Sequence, residues 1–230
     1  MRKGLTEMVF VLDNSGSMSG LEKDTIGGFN SMIAKQKEDE GEAIVTIGLF
    51  NSKVTELHDH IDLKEINEMT EEDYVAEGRT ALLDAFGQSI KGTKVVHSYL
   101  REEDRPEKTI FVVITDGNEN SSQRFTYGAV RRLVEEQKEK GWEFLFLGAN
   151  IDAFAVGRRI GIRPDRACKI EPDAMGMRMA YADAGKFISA AKKMDDTSEI
   201  DRSWCAESDD YYKNFDDFDD FDEFDSDLPY

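Results

Sequence analysis

The fold is decided by residues 8–17, which read MVFVLDNSGS. The apolar run over residues 8–12 is uninterrupted, and it ends at Asp13, after which small polar residues follow. A short, continuous apolar run of this kind predicts a central strand buried on both faces, as in parallel sheets. The polar residues 13–17 then form a loop at the carboxyl end of that strand.

Strand and helix patterns alternate along the rest of the chain. Further strands are predicted at residues 43–50, 54–58, 109–114, 142–147 and 167–170, and helices at residues 21–37, 80–100, 127–140, 152–160 and 174–193. A tight turn at residues 51–53 predicts a hairpin, so residues 54–58 are expected to form an antiparallel edge strand. The alternation predicts an α/β fold with a doubly wound, mostly parallel central sheet, that one antiparallel edge strand, and helices on both faces.

The charge balance argues against two classes of partner. The chain contains 48 acidic and 29 basic residues, which gives a formal net charge of -19. A general nucleic-acid binder needs a basic face, and so does a protein that docks on anionic lipid. We therefore expect no direct nucleic-acid binding and no membrane binding.

The compartment is predicted from the cysteines and the apolar runs. Cys168 and Cys205 are too few for a disulfide framework, and we expect reduced thiols in a cytoplasmic protein. No stretch approaches the roughly 18–20 apolar residues of a membrane span. His58, His60 and His97 share no motif with the acidic residues and are expected at the surface.

Three loops at predicted strand and helix ends carry oxygen ligands. Residues 13–17 (DNSGS) follow the first strand, residues 78–85 (GRTALLDA) open a helix, and residues 115–117 (TDG) follow another strand. Ligands of open α/β sheets bind beyond the carboxyl ends of the strands, and Mg²⁺ or Mn²⁺ prefers about six oxygen ligands. The loops therefore predict a metal site with these candidate ligands: Asp13, Ser15, Ser17, Thr80 and Asp116.

These motifs resemble the metal-ion-dependent adhesion site (MIDAS) of von Willebrand factor type A (VWA) domains, and the resemblance covers about residues 6–193. It implies the VWA fold, with Ser15, Ser17 and usually Thr80 ligating the metal directly. It also implies that Asp13 and Asp116 bind directly or through water, and that an acidic residue of a partner protein often completes the coordination. The chain is most similar to small intracellular VWA proteins of bacteria and their phages.

Several neighbours of these motifs are secondary candidates. Asp84 is expected to support the loop that carries Thr80, because a carboxylate next to a ligand-bearing loop fixes its orientation. Turn residues are expected to rim the site, and they are Asn14, Asn118 and Glu119.

The composition changes near residue 195, where aliphatic residues give way to Asp, Ser and aromatics. We expect a VWA domain over residues 1–195 and a disordered, acidic, aromatic-rich tail over residues 196–230. Residues 206–230 contain eleven acidic residues and one basic residue, Lys213, and phenylalanine recurs at every third position from Phe215 to Phe224. Such a tail either solubilises the protein, binds a second partner, or blocks the chain's own metal site.

The leading hypothesis is a non-enzymatic, metal-dependent protein-binding module, an adaptor or scaffold in which bound Mg²⁺ recruits an Asp or Glu of a partner. In the alternative, residues 225–230 (DSDLPY) resemble the acidic tip of bacterial single-stranded-DNA-binding proteins, which implies replication or repair proteins as partners.

A third hypothesis is a Mg²⁺-dependent phosphatase, because an Asp after a first strand also marks haloacid-dehalogenase-like hydrolases. Those enzymes have a second Asp where this chain has Ser15.

Overall fold

The computed structural model describes residues 1–219 of the 230-residue chain. Its strands are β1 (Arg2–Asp13), β2 (Glu42–Phe50), β3 (Val54–Asp62), β4 (Pro106–Thr115), β5 (Glu143–Gly148) and β6 (Ala167–Lys169). Its helices are α1 (Glu22–Glu38), α2 (Leu82–Tyr99), α3 (Tyr127–Lys138), α4 (Ala153–Arg159), α5 (Ala174–Lys193) and α6 (Ala206–Asp219). All elements predicted over residues 8–193 are present, most with bounds that differ by a few residues.

The six strands form one sheet in the order β3-β2-β1-β4-β5-β6. Every neighbouring pair is parallel except β2 and β3, which form the predicted antiparallel hairpin at one edge. The chain thus winds outward in both directions from β1 and β4, which confirms the predicted doubly wound α/β architecture. Within residues 1–219, no helix combines the length and the hydropathy needed to cross a bilayer.

The central strand β1 divides the core into two layers. Met8, Phe10 and Leu12 pack with α1 and α5 on one face, while Val9 and Val11 pack with α2 and α3 on the other. All five side chains are at most 1% exposed. The continuous apolar run is explained by this geometry, because a strand covered by helices on both faces cannot alternate with polar residues.

The segment after α5 is packed onto the domain, contrary to the prediction of an unstructured tail from residue 196. Trp204 is 4% exposed, its ring lies 5.8 Å from that of Phe187, and its indole Nε1 donates to the carbonyl oxygen of Asp165 at 3.0 Å. Cys205 is fully buried beside it, and α6 follows directly. The prediction was wrong because it relied on average composition. The single side chain of Trp204 provides the buried apolar contact that aliphatic residues usually provide. The tail prediction for residues 220–230 lies outside the described residues.

A buried carboxylate, Glu7, organises the end of the sheet opposite to the loops at residues 13–17. Its Oε2 lies 2.6 Å from Nε2 of His97 and accepts from the hydroxyl of Thr109 at 3.1 Å, and its Oε1 lies 3.0 Å from Nε2 of His60. His60 sits at a β-bulge opposite Thr46 and has a φ of 53°, a left-handed conformation that turns its ring towards Glu7. His60 and His97 are therefore partners of a buried charge, which corrects their prediction as surface histidines.

The contact between His60 and Glu7 predicts an alkaline loss of stability. Hydrogen bonding to Glu7 raises the pKa of His60 from 6.5 to about 9. A histidine with a raised folded-state pKa stabilises fully below pH 6.5, and the contribution is lost as the pH rises through about 9. The free energy of unfolding is expected to fall by on the order of 3 kcal/mol over that range from this group, measured by urea unfolding at each pH.

His60→Asn removes the titrating ring while keeping a residue that tolerates positive φ. This variant is expected to flatten the alkaline part of the profile, and His58→Asn, on the same strand, is expected to leave it unchanged. An identical slope in wild type and His60→Asn would contradict the assignment.

The packing of the segment after α5 predicts that Trp204→Ala destabilises the whole domain. Removing a buried tryptophan leaves a cavity and costs about 3–5 kcal/mol of unfolding free energy, measurable by urea unfolding. The matched control is Tyr99→Ala, because Tyr99 is 86% exposed at the end of α2 and its removal should change stability by less than about 0.5 kcal/mol. Equal stabilities for the two variants would show that residues 197–213 do not belong to the cooperative unit.

Candidate metal centre

The five predicted ligands meet at the carboxyl edge of the sheet. Asp13 is the last residue of β1, and Asp116 directly follows β4, which is the parallel neighbour of β1. Leu12 lies opposite Ile114 in the register, so the two aspartates leave the sheet at nearly the same level. Thr80 lies in the segment that leads into α2.

The hydroxyl groups form a continuous chain between the loops. Oγ1 of Thr80 donates to Oγ of Ser15 at 3.0 Å, Oγ of Ser15 lies 3.0 Å from Oγ of Ser17, and Oγ of Ser17 donates to Oδ1 of Asp116 at 2.6 Å. Ser15, Thr80 and Asp116 are at most 2% exposed, whereas Ser17 is exposed. The structure therefore brings these side chains into direct contact, and Ser17 lies on the solvent side of the cluster.

Asp13 is held by neighbours that the sequence analysis did not single out. Its Oδ1 accepts from the backbone N–H of Ser15 at 2.7 Å, and its Oδ2 accepts from the hydroxyl of Thr115. The hydroxyl of Tyr74 donates to the carbonyl oxygen of Asp13. Thr115 was within reach of prediction because it adjoins Asp116, but Tyr74 comes from a loop 61 residues away with no recognisable pattern.

The electrostatics of the cluster favour a cation. Burial raises the pKa of Asp13 to about 6 and also raises the pKa of Asp116, while hydrogen bonds from Ser15, Thr115 and Ser17 oppose these shifts. Within residues 1–219, no lysine, arginine or histidine forms an ion pair with either aspartate. Two buried carboxylates beside three hydroxyls, with no protein cation to balance them, form a donor set that suits a hard divalent ion.

A close approach at Gly117 keeps the loops together. A Cβ atom at this position would lie 2.8 Å from Oγ1 of Thr80 and 3.1 Å from Oγ of Ser17. Real side chains do not tolerate the first of these distances, so only glycine allows the loop after β4 to lie against the hydroxyl chain. Sequence reasoning treated this glycine only as part of a motif, because the space around it is set by distant loops.

The loop after β4 is tied to the start of α2. Asn120 accepts from the backbone N–H of Thr80 at 3.0 Å, and Glu119 accepts from the backbone N–H of Leu83 at 2.9 Å. Asp84 accepts from three consecutive backbone N–H groups at residues 123–125, all at 2.8 Å. Asp84 and Glu119 thus hold the loop after β4 onto α2.

The remaining secondary candidates lie nearby. Asn14 donates from its side chain to the carbonyl oxygen of Val75 at 2.9 Å, which fixes the loop that carries Tyr74. Asn118 belongs to the same loop as Asp116.

Solved structures resemble this fold, although no protein-family model and no curated protein matches the sequence. The VWA domain of the type V pili tip protein Mfa5 from Porphyromonas gingivalis superposes with a TM-score of 0.58 and 10% identity, covering 84% of this chain and 98% of that chain. The manganese-loaded TRAP protein of Plasmodium vivax gives a TM-score of 0.55 and 16% identity, covering 78% of this chain and 73% of that chain. The chain has the VWA fold.

A third similar VWA structure is the proximal thread matrix protein 1 of the mussel byssus. It gives a TM-score of 0.54 at 12% identity over 81% of this chain, and this chain spans 46% of that protein's length. A form of the mussel protein with a zinc-occupied MIDAS motif is equally similar, with a TM-score of 0.54. Two of these VWA neighbours thus carry a divalent metal.

A second cluster of possible metal ligands lies elsewhere, under α6. The sulfur atoms of Cys168 and Cys205 and a carboxylate oxygen of Asp209 lie within 4.8 Å of one another. Both oxygens of Asp209 already accept from the guanidinium group of Arg202, at 2.9 and 2.6 Å. A cation that used this carboxylate would have to displace Arg202, so we interpret the cluster as structural.

Gly117→Ala is expected to break the hydroxyl chain while leaving the fold intact. The added methyl group displaces Thr80 and Ser17, so binding of Mn²⁺ measured by calorimetry should weaken at least tenfold. Gly128→Ala is the matched control, because a Cβ atom there meets nothing within 4 Å and the residue lies in α3. The control should bind metal like wild type and gain up to about 1 kcal/mol of stability. Wild-type metal binding by Gly117→Ala would contradict the packing argument.

Proposed function

We propose that this chain is a non-enzymatic, cytoplasmic protein-binding module that depends on Mg²⁺ or Mn²⁺. The proposed ligands are Asp13, Ser15, Ser17, Thr80 and Asp116, binding directly or through water. The observation that carries the proposal is a chain of three hydroxyls that ends on the buried carboxylate of Asp116, with the second buried carboxylate, Asp13, on the neighbouring strand and no ion pair to either among the described residues. A bound divalent ion supplies a positive centre there with exchangeable coordination positions.

The proposed ligands have two different roles in such a site. Asp13 and Asp116 balance the charge of one divalent ion between them, and the neutral hydroxyls add ligands without adding charge. Because they add no further negative charge, an outside carboxylate is still attracted to the ion. Ser17 is exposed, so the solvent side of the site is where an Asp or Glu of a partner protein is expected to bind.

The contacts of Asp13 support a binding role rather than phosphatase chemistry. Both oxygens of Asp13 accept a hydrogen bond from within the protein, which fixes the orientation of the carboxylate and leaves each oxygen a lone pair for a cation. The position two residues later, where the phosphatase hypothesis requires an acid, is Ser15, and its hydroxyl accepts from Thr80. The position that holds the second acid in those enzymes is therefore occupied by a hydroxyl group here.

The alternative that residues 225–230 bind replication or repair proteins remains a prediction from the sequence. These residues lie outside the described part of the chain. The alternative uses a different surface from the metal site, and both can therefore be tested in one protein.

Metal binding is the direct test of the proposal. Titration of the chelator-treated protein with Mg²⁺ or Mn²⁺ is expected to give a single site by calorimetry and a rise in melting temperature, because the ion binds only the folded state. Asp13→Asn and Asp116→Asn should abolish both effects, since each removes half of the charge that holds the ion. Asp210→Asn, an exposed residue of α6, is the control and should behave like wild type.

Partner binding tests the second half of the proposal. Proteins captured on the immobilised chain from an extract of its source cells should be lost with a chelator and with Asp13→Asn, and retained with Asp210→Asn. A partner held equally well with and without metal would refute the MIDAS-dependent mechanism. Hydrolysis of p-nitrophenyl phosphate that disappears in Asp13→Asn would instead support the phosphatase.

A further inference from the structure

A groove lies between α1 and α5, away from the candidate metal ligands. Its volume is about 760 Å³, and it runs along the outer surface of the two helices. Its floor consists mainly of small or flat apolar groups, with the polar side chains of Ser31, Gln36 and Ser189 among them. Gly28 fits under the ring of Tyr181, where a Cβ atom would lie 2.8 Å from the ring, and Gly185 lies against Met32.

The lining of the groove is basic, although the protein as a whole is acidic. The whole chain carries 48 acidic and 29 basic residues, but the groove lining contains five basic residues and no acidic one. All five are exposed, and they are Lys23, Lys35, Arg178, Lys186 and Lys193. A basic rim above an apolar floor fits a ligand that combines carboxylates with aromatic or aliphatic side chains.

Three of these cations already contact acidic neighbours outside the groove lining. Arg178 pairs with Asp24 at 2.6 Å, and Lys186 lies 2.8 Å from Asp183. Lys23 lies 3.7 Å from Glu71, in the segment between β3 and α2. Among residues 1–213, whose side chains are described, Lys35 and Lys193 form no ion pair. The end of the groove formed by the last turns of α1 and α5 therefore holds the uncompensated positive charge.

The chain itself contains a segment with the complementary composition. Residues 220–230 read DFDEFDSDLPY, with five acidic residues, no basic residue and three aromatic residues. We propose that this segment binds in the α1–α5 groove of its own chain, with its carboxylates on the lysines of the rim and its aromatic rings on the apolar floor.

The course of α6 brings the segment to the open end of the groove. α6 begins beside the middle of α5, where Ser208 donates to Asp183 at 2.6 Å. By Tyr211 it has reached the first turn of α5, because the hydroxyl of Tyr211 donates to Asp173, the N-cap residue, at 2.9 Å. The helix thus carries the chain towards the end of α5 from which the groove starts, near Arg178.

The remaining chain is long enough to follow the groove. Residues 220–230 span up to about 36 Å when extended. The stretch of α5 from Arg178 to Lys193 rises about 22 Å at 1.5 Å per residue. The eight residues of α6 after Tyr211 add about 12 Å that the segment must retrace, so residues 220–230 reach Lys35 and Lys193 only when they are nearly fully extended. This docking does not involve the candidate metal ligands, so it is tested independently of the proposed function.

A competition experiment tests the docking with the full chain. A fluorescent peptide of residues 214–230 is titrated with wild-type protein and with a full-length Phe221→Ala/Phe224→Ala variant, and binding is read by anisotropy. In wild type the tethered segment competes at a millimolar effective concentration, so the peptide should bind the variant at least tenfold more tightly. The binding to the variant should weaken as salt is raised from 50 to 300 mM, because exposed charges are screened.

Charge-reversal variants test which surface of the protein binds the peptide. Lys35→Glu/Lys193→Glu, placed in the Phe221→Ala/Phe224→Ala chain, should weaken peptide binding at least tenfold, whereas Arg132→Glu/Lys138→Glu on α3 should not change it. Asp13→Asn should leave the ratio of the peptide affinities of the wild-type and Phe221→Ala/Phe224→Ala chains unchanged. This result separates the docking test from the test of the metal site.

Equal binding to wild type and tail variant, no binding to either, or full binding after charge reversal in the groove would overturn the proposal. Light scattering that shows a dimer in wild type and a monomer in the tail variant would also overturn it, because the segment would then bind a second copy.

Discussion

The convergence of two buried carboxylates on one edge of the sheet is the constraint on which the rest of the site depends. Asp13 and Asp116 end neighbouring parallel strands, and burial raises the pKa of both. Burying unpaired carboxylates costs free energy, so the fold must recover it through hydrogen bonds and, under our proposal, through a cation. The hydroxyl chain and the glycine at residue 117 follow from that need, since both bring neutral donors close to the two charges.

Most of the architecture was predictable because the signals are local. The continuous apolar run over residues 8–12 predicted a strand buried on both faces. The predicted bounds of α5, residues 174 and 193, match the structure, in which Asp173 caps the helix and lysines close it. The proximity of the candidate ligands was predictable for a related reason. Each follows a strand or precedes a helix, and the topology of a parallel sheet brings those positions to one edge.

The parts that could not be predicted depend on contacts between distant segments. Tyr74 reaches Asp13 from a loop with no periodicity, and Asn120 meets Thr80 only because α2 and β4 are adjacent. The buried role of His60 arises from a bulge whose left-handed residue is not a glycine. Trp204 shows that average composition has the same limitation as a predictor. The composition after residue 195 predicted disorder, but the burial of this one side chain packs the segment onto the domain.

The distribution of charge explains how an acidic protein can hold both a cation and an acidic ligand. A net charge of -19 describes the whole chain, but electrostatic recognition operates within about 10 Å at moderate salt. At that scale the edge of the sheet is negative and uncompensated, whereas the α1–α5 groove is positive around Lys35 and Lys193. The excess of acid is concentrated after residue 205, next to the helix that leads towards the groove. An acidic segment that remained in solvent would add to the repulsion among the surface acids, and binding in the groove would remove that repulsion while covering an apolar floor. The acidic charge of the last residues therefore favours an intramolecular partner.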